Sequence, residues 1–177
     1  VAKALSAAVK ITVGAVSWTG VMIDPSGRFV TTSSDLGKAP IADFRTQDGS
    51  SGLAWVVGRD DALDLALLEV INPARAFETI ELYTGLMPVS AQPLAILQYP
   101  ATSLVLQESN TRVVGARQDL SGIEYYQLQG LATDGAQGAA VVDSDGVLRA
   151  LRMSPAHMLS ISIARAGETW SIDGSGL

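Results

Sequence analysis

The sequence predicts an all-β protein, built either as two antiparallel β-barrels of about six strands each or as a folded sandwich. Short apolar and β-branched runs alternate with turn residues along most of the 177 residues. Long amphipathic helical patterns are missing, and the 17 glycines suit barrel corners and tight hairpins. The stretch from Pro73 to Gln92 lacks the strand pattern and divides the chain into two halves.

The first half contains two hairpins and one buried strand. The runs "TGVMID" and "RFVTT" flank Pro25-Ser26-Gly27, where proline fixes φ and glycine allows a positive φ. The runs "IADFRT" and "LAWVVG" flank a turn that contains Asp48-Gly49, a strong turn dipeptide. "DLALLEV" is almost entirely apolar, which predicts a strand buried on both faces. At the N-terminus, "VAKALSAAVK" has a weak helical pattern.

The second half repeats this organisation. Its seven candidate strands are "LAILQY", "SLVLQES", "TRVVGAR", "EYYQLQ", "GAAVVD", "GVLRALRM" and "LSISIAR". Turn residues separate most of them, and no internal repeat of fixed period is present. Each half therefore supplies roughly the strands that one small barrel needs.

Composition excludes several classes of function. The chain has no cysteine, which rules out disulfides, thiolate catalysis and cysteine-ligated zinc. His157 is the single histidine, so a histidine-rich metal site is ruled out, and no metal or other cofactor is expected. The net charge is −6 with both signs scattered, which gives no basic surface for nucleic acid. No run approaches the roughly 18 apolar residues that span a bilayer, and the first residues do not form a signal peptide.

Three segments resemble the signature blocks of trypsin-like serine proteases. They are "GVMIDPSGRFVTTSSDLG", "VVGRDDALDLALLEV" and "YQLQGLATDGAQGAAVVDSDGVLRAL". The similarity is strongest to the bacterial HtrA/Deg branch, whose blocks contain TNxHV, D-[IL]-A-[VL]-L and GNSGGP. The blocks align without a gap, in the order and spacing of that family. The resemblance implies the chymotrypsin fold of two six-stranded antiparallel barrels. It also implies a single protease-homology domain over residues 1–177, with barrels at about 8–72 and 93–170 and a linker at about 73–92.

The resemblance breaks down at the catalytic positions. It aligns Ser34 with the family's histidine and Gln137 with the nucleophilic serine, and only Asp64 keeps its identity. A serine has no pKa near neutrality and cannot act as the base, and a glutamine amide has no hydroxyl to attack a carbonyl. Losing both groups is expected to remove about 10⁶ in rate. We therefore expect no functional catalytic residue and interpret the chain as an inactive homologue, a pseudoprotease.

Other positions belong to the same predicted site. Gly135, Ala136 and Gln137 form the degenerate oxyanion loop, and the candidates for the old substrate cleft are Gln129, Gly138, Arg149 and Arg152. The glycine loop either binds a carbonyl through its N–H groups or is only a tight turn. The two arginines either meet an acidic peptide end or point outward from an alternating strand. We expect Asp64 to be structural, accepting hydrogen bonds from loop backbone or from Ser34.

Further polar residues are weaker candidates. Ser33, Ser34 and Thr133 carry hydroxyl groups, but no histidine or positioned lysine accompanies them in the motif. His157 lies beyond the third block and is expected to be a surface or hydrogen-bonded residue. The aspartates of "RDDALD" and "DSDG" lack the 12-residue loop with a closing Glu that binds Ca²⁺, and they favour turns.

Three functions stay open at this point. The first is an inactive homologue that serves as a protein-binding, peptide-binding or structural module, with an extended peptide added to a strand edge in the old cleft. The second is a structural or sensory domain of a larger protein, in contact with a membrane only through segments outside this chain. This hypothesis rests on the ends Val1 and "SIDGSGL". The third is a serine-type endopeptidase of HtrA/Deg type with a non-standard active site. Family resemblance favours a bacterial periplasm, cell envelope or extracellular setting.

Overall fold

The computed structural model describes residues 2–83, 92–118, 124–129, 134–153 and 159–162. In these ranges the chain is dominated by β-strands, as the sequence predicts. The elements are α1 (Ala2–Ser6), β1 (Ala8–Val13), β2 (Val16–Asp24), β3 (Arg28–Thr32), α2 (Ser33–Leu36), β4 (Ile41–Thr46), β5 (Ser51–Asp60), β6 (Leu65–Val70), β7 (Glu81–Leu82), β8 (Leu94–Gln98), β9 (Gln107–Thr111), β10 (Val113–Gln118), β11 (Glu124–Leu128), β12 (Ala140–Val142), β13 (Val147–Arg152) and β14 (Leu159–Ser162). Neither helix in these ranges has the length that a bilayer crossing requires.

Strands β1 to β6 close into an antiparallel barrel in the order β1-β2-β3-β6-β5-β4. Both predicted hairpins are present, as β2–β3 and β4–β5, and Gly27 and Gly49 at their turns have φ of 103° and 87°. The apolar run before Val70 forms β6, whose neighbours are β3 and β5. The first barrel is thus the one that the sequence predicts.

The helix that the N-terminal pattern suggests is only partly present. Helix α1 ends at Ser6, and the next residues form β1, which pairs with β2 and β4. Val9 and Ile11 are fully buried in the barrel core. Alanine-rich sequence favours a helix locally, but closing the barrel requires a strand here, and tertiary pairing overrides the local preference.

The second half forms one sheet in the order β10-β11-β14-β13-β12-β8-β9, and β7 pairs with β13 in parallel. Each of the seven predicted strands is represented in it. The run "SLVLQES" becomes a strand only from Gln107, because residues 101–105 form turns and bends. The predicted linker at 73–92 contributes β7 to this sheet. Over the described residues this half is a sheet with β9 and β10 at its ends.

The two faces of the second sheet bury different cores. One face joins the core of the first barrel through apolar residues of β8, β12 and β13, namely Ala95, Leu97, Ala140, Val142, Leu148 and Leu151. The opposite face holds its own cluster, namely Leu94, Ile96, Val113, Tyr126, Leu128, Ala139, Val141 and Ala150. We call this second cluster the inner core of the second sheet. The first barrel and one face of the second sheet therefore share one continuous apolar core.

A buried lysine also joins the two halves. Lys10 on β1 is only 7% exposed. Its Nζ donates hydrogen bonds to the carbonyls of Pro100, Ala101 and Ser103, at 3.4, 3.0 and 2.6 Å. Burial lowers the pKa of this ammonium group. Three carbonyls replace its lost water shell, so the turn that precedes β9 is fixed to the first barrel.

We predict that Lys10→Met destabilises the protein by about 1–3 kcal/mol, because it removes charged hydrogen bonds between the halves. Urea unfolding followed by circular dichroism measures this loss. Lys3→Met is the matched control, since Lys3 is exposed on α1, and its unfolding midpoint should stay unchanged. Equal midpoints for the two variants would contradict the joining role of Lys10.

The β4–β5 turn is closed by Asp48. Its Oδ1 accepts hydrogen bonds from Thr46 Oγ1 at 2.7 Å and from the Ser50 N–H at 3.0 Å, and Arg75 contacts its carboxylate. The Thr46 hydrogen bond is the main cause that lowers the pKa of Asp48 to about 2. The ionised form therefore holds the turn predicted from Asp48-Gly49.

A pH dependence follows from this lowered pKa. Asp48 stabilises the fold above the ordinary carboxyl pKa of 3.8, and the contribution is lost as the pH falls toward about 2. Asp48→Asn should lower the Tm at about pH 6 and flatten the fall of Tm between about pH 4 and 2. Thermal unfolding over a pH series tests this, with Asp43→Asn on the exposed side of β4 as the control that keeps the steeper fall. Parallel curves of Tm against pH for the two variants would contradict the stabilising role of ionised Asp48.

Candidate functional site

Ser34 and Asp64 meet where two neighbouring strands of the first barrel end. β3 pairs with β6 up to Thr32 opposite Leu65, which places the start of α2 beside the turn before β6. The Ser34 N–H donates to Asp64 Oδ1 at 2.7 Å, and Ser34 Oγ donates to Asp64 Oδ2 at 2.8 Å. Asp64 has a φ of 54°, a conformation that aspartate tolerates better than most residues. These are the hydrogen bonds that the sequence analysis expects of a structural Asp64.

A shallow depression of about 460 Å³ lies over this pair. It is lined by Ser33, Ser34, Gly37, Lys38, Arg59, Asp61 and Asp64. Arg59 fixes its wall, since its guanidinium donates to the Ser33 carbonyl at 3.2 Å and to the Ala39 carbonyl at 3.1 Å. Burial raises the pKa of Asp35 despite a hydrogen bond from Thr32, and the charge of Asp64 raises it further. Serine hydroxyls, carboxylates, Lys38 and the fixed Arg59 meet here, with no imidazole at the Ser34 position.

The turn that carries Gln137 keeps its tight geometry. Gly135 and Gly138 have φ of 88° and 69°. The Gly138 N–H donates to the Arg152 carbonyl at 2.7 Å, and the Ala139 N–H donates to the Ala136 carbonyl at 3.1 Å. The N–H groups of Gly135, Ala136 and Gln137 donate to no backbone carbonyl of the described residues. Gln137 Oε1 is buried and has no hydrogen-bond partner in the same part of the chain.

Thr19 on β2 holds this turn against the first barrel. Its N–H donates to the Gln137 carbonyl at 3.1 Å, and its Oγ1 donates to the Gly135 carbonyl at 2.7 Å. The same Oγ1 accepts the N–H of Tyr99 at 2.9 Å. No sequence motif singles out Thr19, although a threonine inside an apolar strand is a signal for a buried polar contact.

The contact behind Thr19 leaves no room for a side chain at position 138. Thr31 Oγ1 donates to the Thr19 carbonyl at 2.7 Å and accepts from Trp18 Nε1 at 2.8 Å. A Cβ on Gly138 would overlap the Thr19 carbonyl oxygen and lie 2.5 Å from Thr31 Oγ1. Gly138, a candidate cleft residue, therefore has a structural reason to be glycine as well.

The other predicted cleft residues occupy different places. Gln129 follows β11 with an exposed side chain, and its carbonyl accepts Thr111 Oγ1 at 2.8 Å. Arg149 forms an ion pair with Asp143 at 2.5 Å and stacks over the Tyr83 ring at 3.4 Å from its centroid. Its guanidinium is thus engaged within the fold, and a place for Arg149 in the cleft stays a prediction. Arg152, three residues further along β13, is buried.

The remaining candidates are resolved as turns or lie elsewhere. Asp143 Oδ1 accepts the N–H groups of Asp145 and Val147 at 3.0 Å each, and Asp60 Oδ1 accepts the Leu63 N–H at 3.0 Å. The segments "RDDALD" and "DSDG" therefore form the turns that the sequence predicts. The described ranges contain no cluster of three or more acidic or histidine side chains suited to a metal. Thr133 and His157 lie outside the described residues.

We predict that Gly138→Ala destabilises the protein by about 3 kcal/mol or more, since it combines backbone strain with overlap against Thr19. Gly14→Ala is the matched control, because Gly14 has a φ of 60° but no atom within 4 Å of an added Cβ. That variant should lose only about 1 kcal/mol. Chemical denaturation of both variants separates the cost of backbone strain from the cost of steric overlap. Similar losses in the free energy of unfolding would contradict the crowded contact at Gly138.

Comparisons with known proteins agree with this geometry. Residues 18–151 match the family described as the trypsin-like peptidase domain. No curated protein matches the chain significantly. The fold is similar to the crystal structure of Deg5, with a TM-score of 0.81 and 20% identity, over 95% of this chain and 88% of that one. This likeness confirms the predicted all-β, chymotrypsin-like fold. Since the family match covers more than half of its length, the chain belongs to the trypsin-like peptidase domain family.

Proposed function

We propose that this protein is a catalytically inactive member of its family that binds extended polypeptide in the former substrate cleft. The observation that carries the proposal is the direct bond from Ser34 Oγ to Asp64 Oδ2, at 2.8 Å. In an active triad an imidazole stands between the carboxylate and the nucleophile and accepts the proton. Here the carboxylate is hydrogen-bonded to Ser34 through both of its oxygens, and the aligned nucleophile position carries an amide.

The Gln137 turn supports a binding role. It offers backbone N–H groups without a backbone acceptor in the described ranges, together with the buried and unpartnered Gln137 Oε1. A buried polar atom without a partner is unfavourable, and a ligand that supplies the missing group removes this cost. An extended peptide carries alternating carbonyl and N–H groups, so it can satisfy both kinds of site in one pose.

A serine-type endopeptidase with a non-standard active site is the second candidate. One observation favours it: Ser34 is exposed and its hydroxyl is hydrogen-bonded to a carboxylate. A carboxylate is a weak base toward a hydroxyl group, and among the described residues Ser34 Oγ is hydrogen-bonded to no base other than Asp64. We therefore place this candidate below the binding role.

Two measurements on one sample distinguish these functions. A fluorophosphonate probe followed by intact mass should give no adduct, with an active serine protease as the positive control. Fluorescein-labelled, permanently unfolded carboxymethylated lactalbumin should bind with saturable anisotropy and stay uncleaved on a gel. An adduct mapped to Ser33 or Ser34, or cleavage of the polypeptide, would support the endopeptidase instead.

Gln137→Ala provides the matched variant. The Thr19 bond uses the backbone carbonyl of residue 137, so the turn should keep its geometry in this variant. We expect the polypeptide to bind several-fold more weakly, because one acceptor is lost. Unchanged affinity would remove Gln137 from the site, and no binding to the wild-type protein would contradict the binding role.

A further inference from the structure

A buried arginine lies next to the Gln137 turn. Arg152 is only 5% exposed, and its carbonyl and N–H bond to Gly138 and Ala139, at 2.7 and 2.9 Å. No carboxylate among the described residues forms an ion pair or hydrogen bond with its guanidinium. Burial lowers the pKa of this group. A buried charge without a counter-charge is costly, so this side chain requires an explanation.

The strand register places Arg152 on the inner-core face of the second sheet. β13 aligns Leu151 with Ala140 of β12, and the Arg152 N–H bonds to the Ala139 carbonyl. Ala139 belongs to the inner core, so Arg152 shares its face. Across the sheet Arg152 pairs with Ser160, which in turn pairs with Tyr126 of the same core. The guanidinium is thus placed on an apolar face, and the Arg152 backbone is bonded directly to the turn that carries Gln137.

Arg149 lies on the same strand as Arg152 but has an acidic partner. The register of β12 and β13 shifts between Val141 and Val142, which makes Arg149 an extra residue opposite β12. Asp143 holds Arg149 in an ion pair at this bulge. Two arginines three residues apart therefore have opposite situations, and only Arg149 has its anion within the described fold.

We propose that Arg152 selects a carboxylate of the bound polypeptide, either its C-terminal carboxylate or a glutamate or aspartate side chain. This inference rests on the proposed peptide binding at the same site. A guanidinium binds a carboxylate through two parallel N–H···O bonds, and a buried setting strengthens them. The nearby Gln137 Oε1 then accepts an N–H of the same peptide. The site therefore takes an acidic peptide end, with one group for its charge and one for its backbone.

Three fluorescein-labelled pools of randomised neutral hexapeptides test the preference by anisotropy. The first pool has a free C-terminal carboxylate, the second a C-terminal amide, and the third a C-terminal amide with one internal Glu. We expect the first or the third pool to bind the wild-type protein about tenfold or more tightly than the second, and which of them does identifies the source of the carboxylate. Arg152→Gln should abolish the difference, and Arg152→Lys should keep part of it.

The outcomes separate this inference from the proposed function. Equal binding of all three pools, or a preference that survives Arg152→Gln, overturns the carboxylate selection and leaves peptide binding in place. Failure of every pool to bind overturns both. Cleavage of the peptides overturns the inactive role.

A stability measurement without any ligand checks the unpaired state independently. Arg152→Met should raise the Tm, because it removes a buried charge that lacks a counter-charge. Arg149→Met is the control and should lower the Tm, because it leaves the buried Asp143 carboxylate without its counter-charge. A fall in Tm for Arg152→Met comparable to that of the control would show that the fold itself supplies the anion, and would overturn the proposal.

Discussion

The contact between Thr19 and the Gln137 turn is the constraint on which the site depends. One threonine on β2 uses its N–H, its hydroxyl and its carbonyl to bond the turn, the start of the loop after β8, and Thr31 behind it. All three groups are buried, where an unmade hydrogen bond is most costly. The turn is therefore fixed by the opposite half of the molecule and not by its own sheet alone.

The shared core and Lys10 also join the two halves along their interface. Apolar residues of β8, β12 and β13 complete the core of the first barrel, and Lys10 fixes the carbonyls that follow β8. Non-directional burial brings the halves together, and directional bonds at Thr19 and Lys10 set their register. A peptide that binds near Gln137 thus meets a surface that both halves hold in place.

The sequence predicted the strands, the hairpins and the fold class, because strand period and turn dipeptides are local signals. It also predicted the bonds of Asp64, since the resemblance placed Ser34 beside it. It did not predict β1 within a helix-like run, or the joining roles of Thr19 and Lys10, which depend on residues about 80 to 120 positions away. It did not distinguish Arg149 from Arg152, because the ion pair of Arg149 depends on Asp143, which the β12–β13 turn brings beside it.

The bond from Thr19 to residue 137 has an evolutionary consequence. It uses the backbone carbonyl of Gln137, and the tight fit behind the turn falls on Gly138. The main chain of residue 137 therefore serves the fold, and its side chain takes no part in this contact. Substitutions of that side chain can therefore accumulate while the fold stays under selection. A family that keeps this contact between Thr19 and the turn can change its activity and retain its fold.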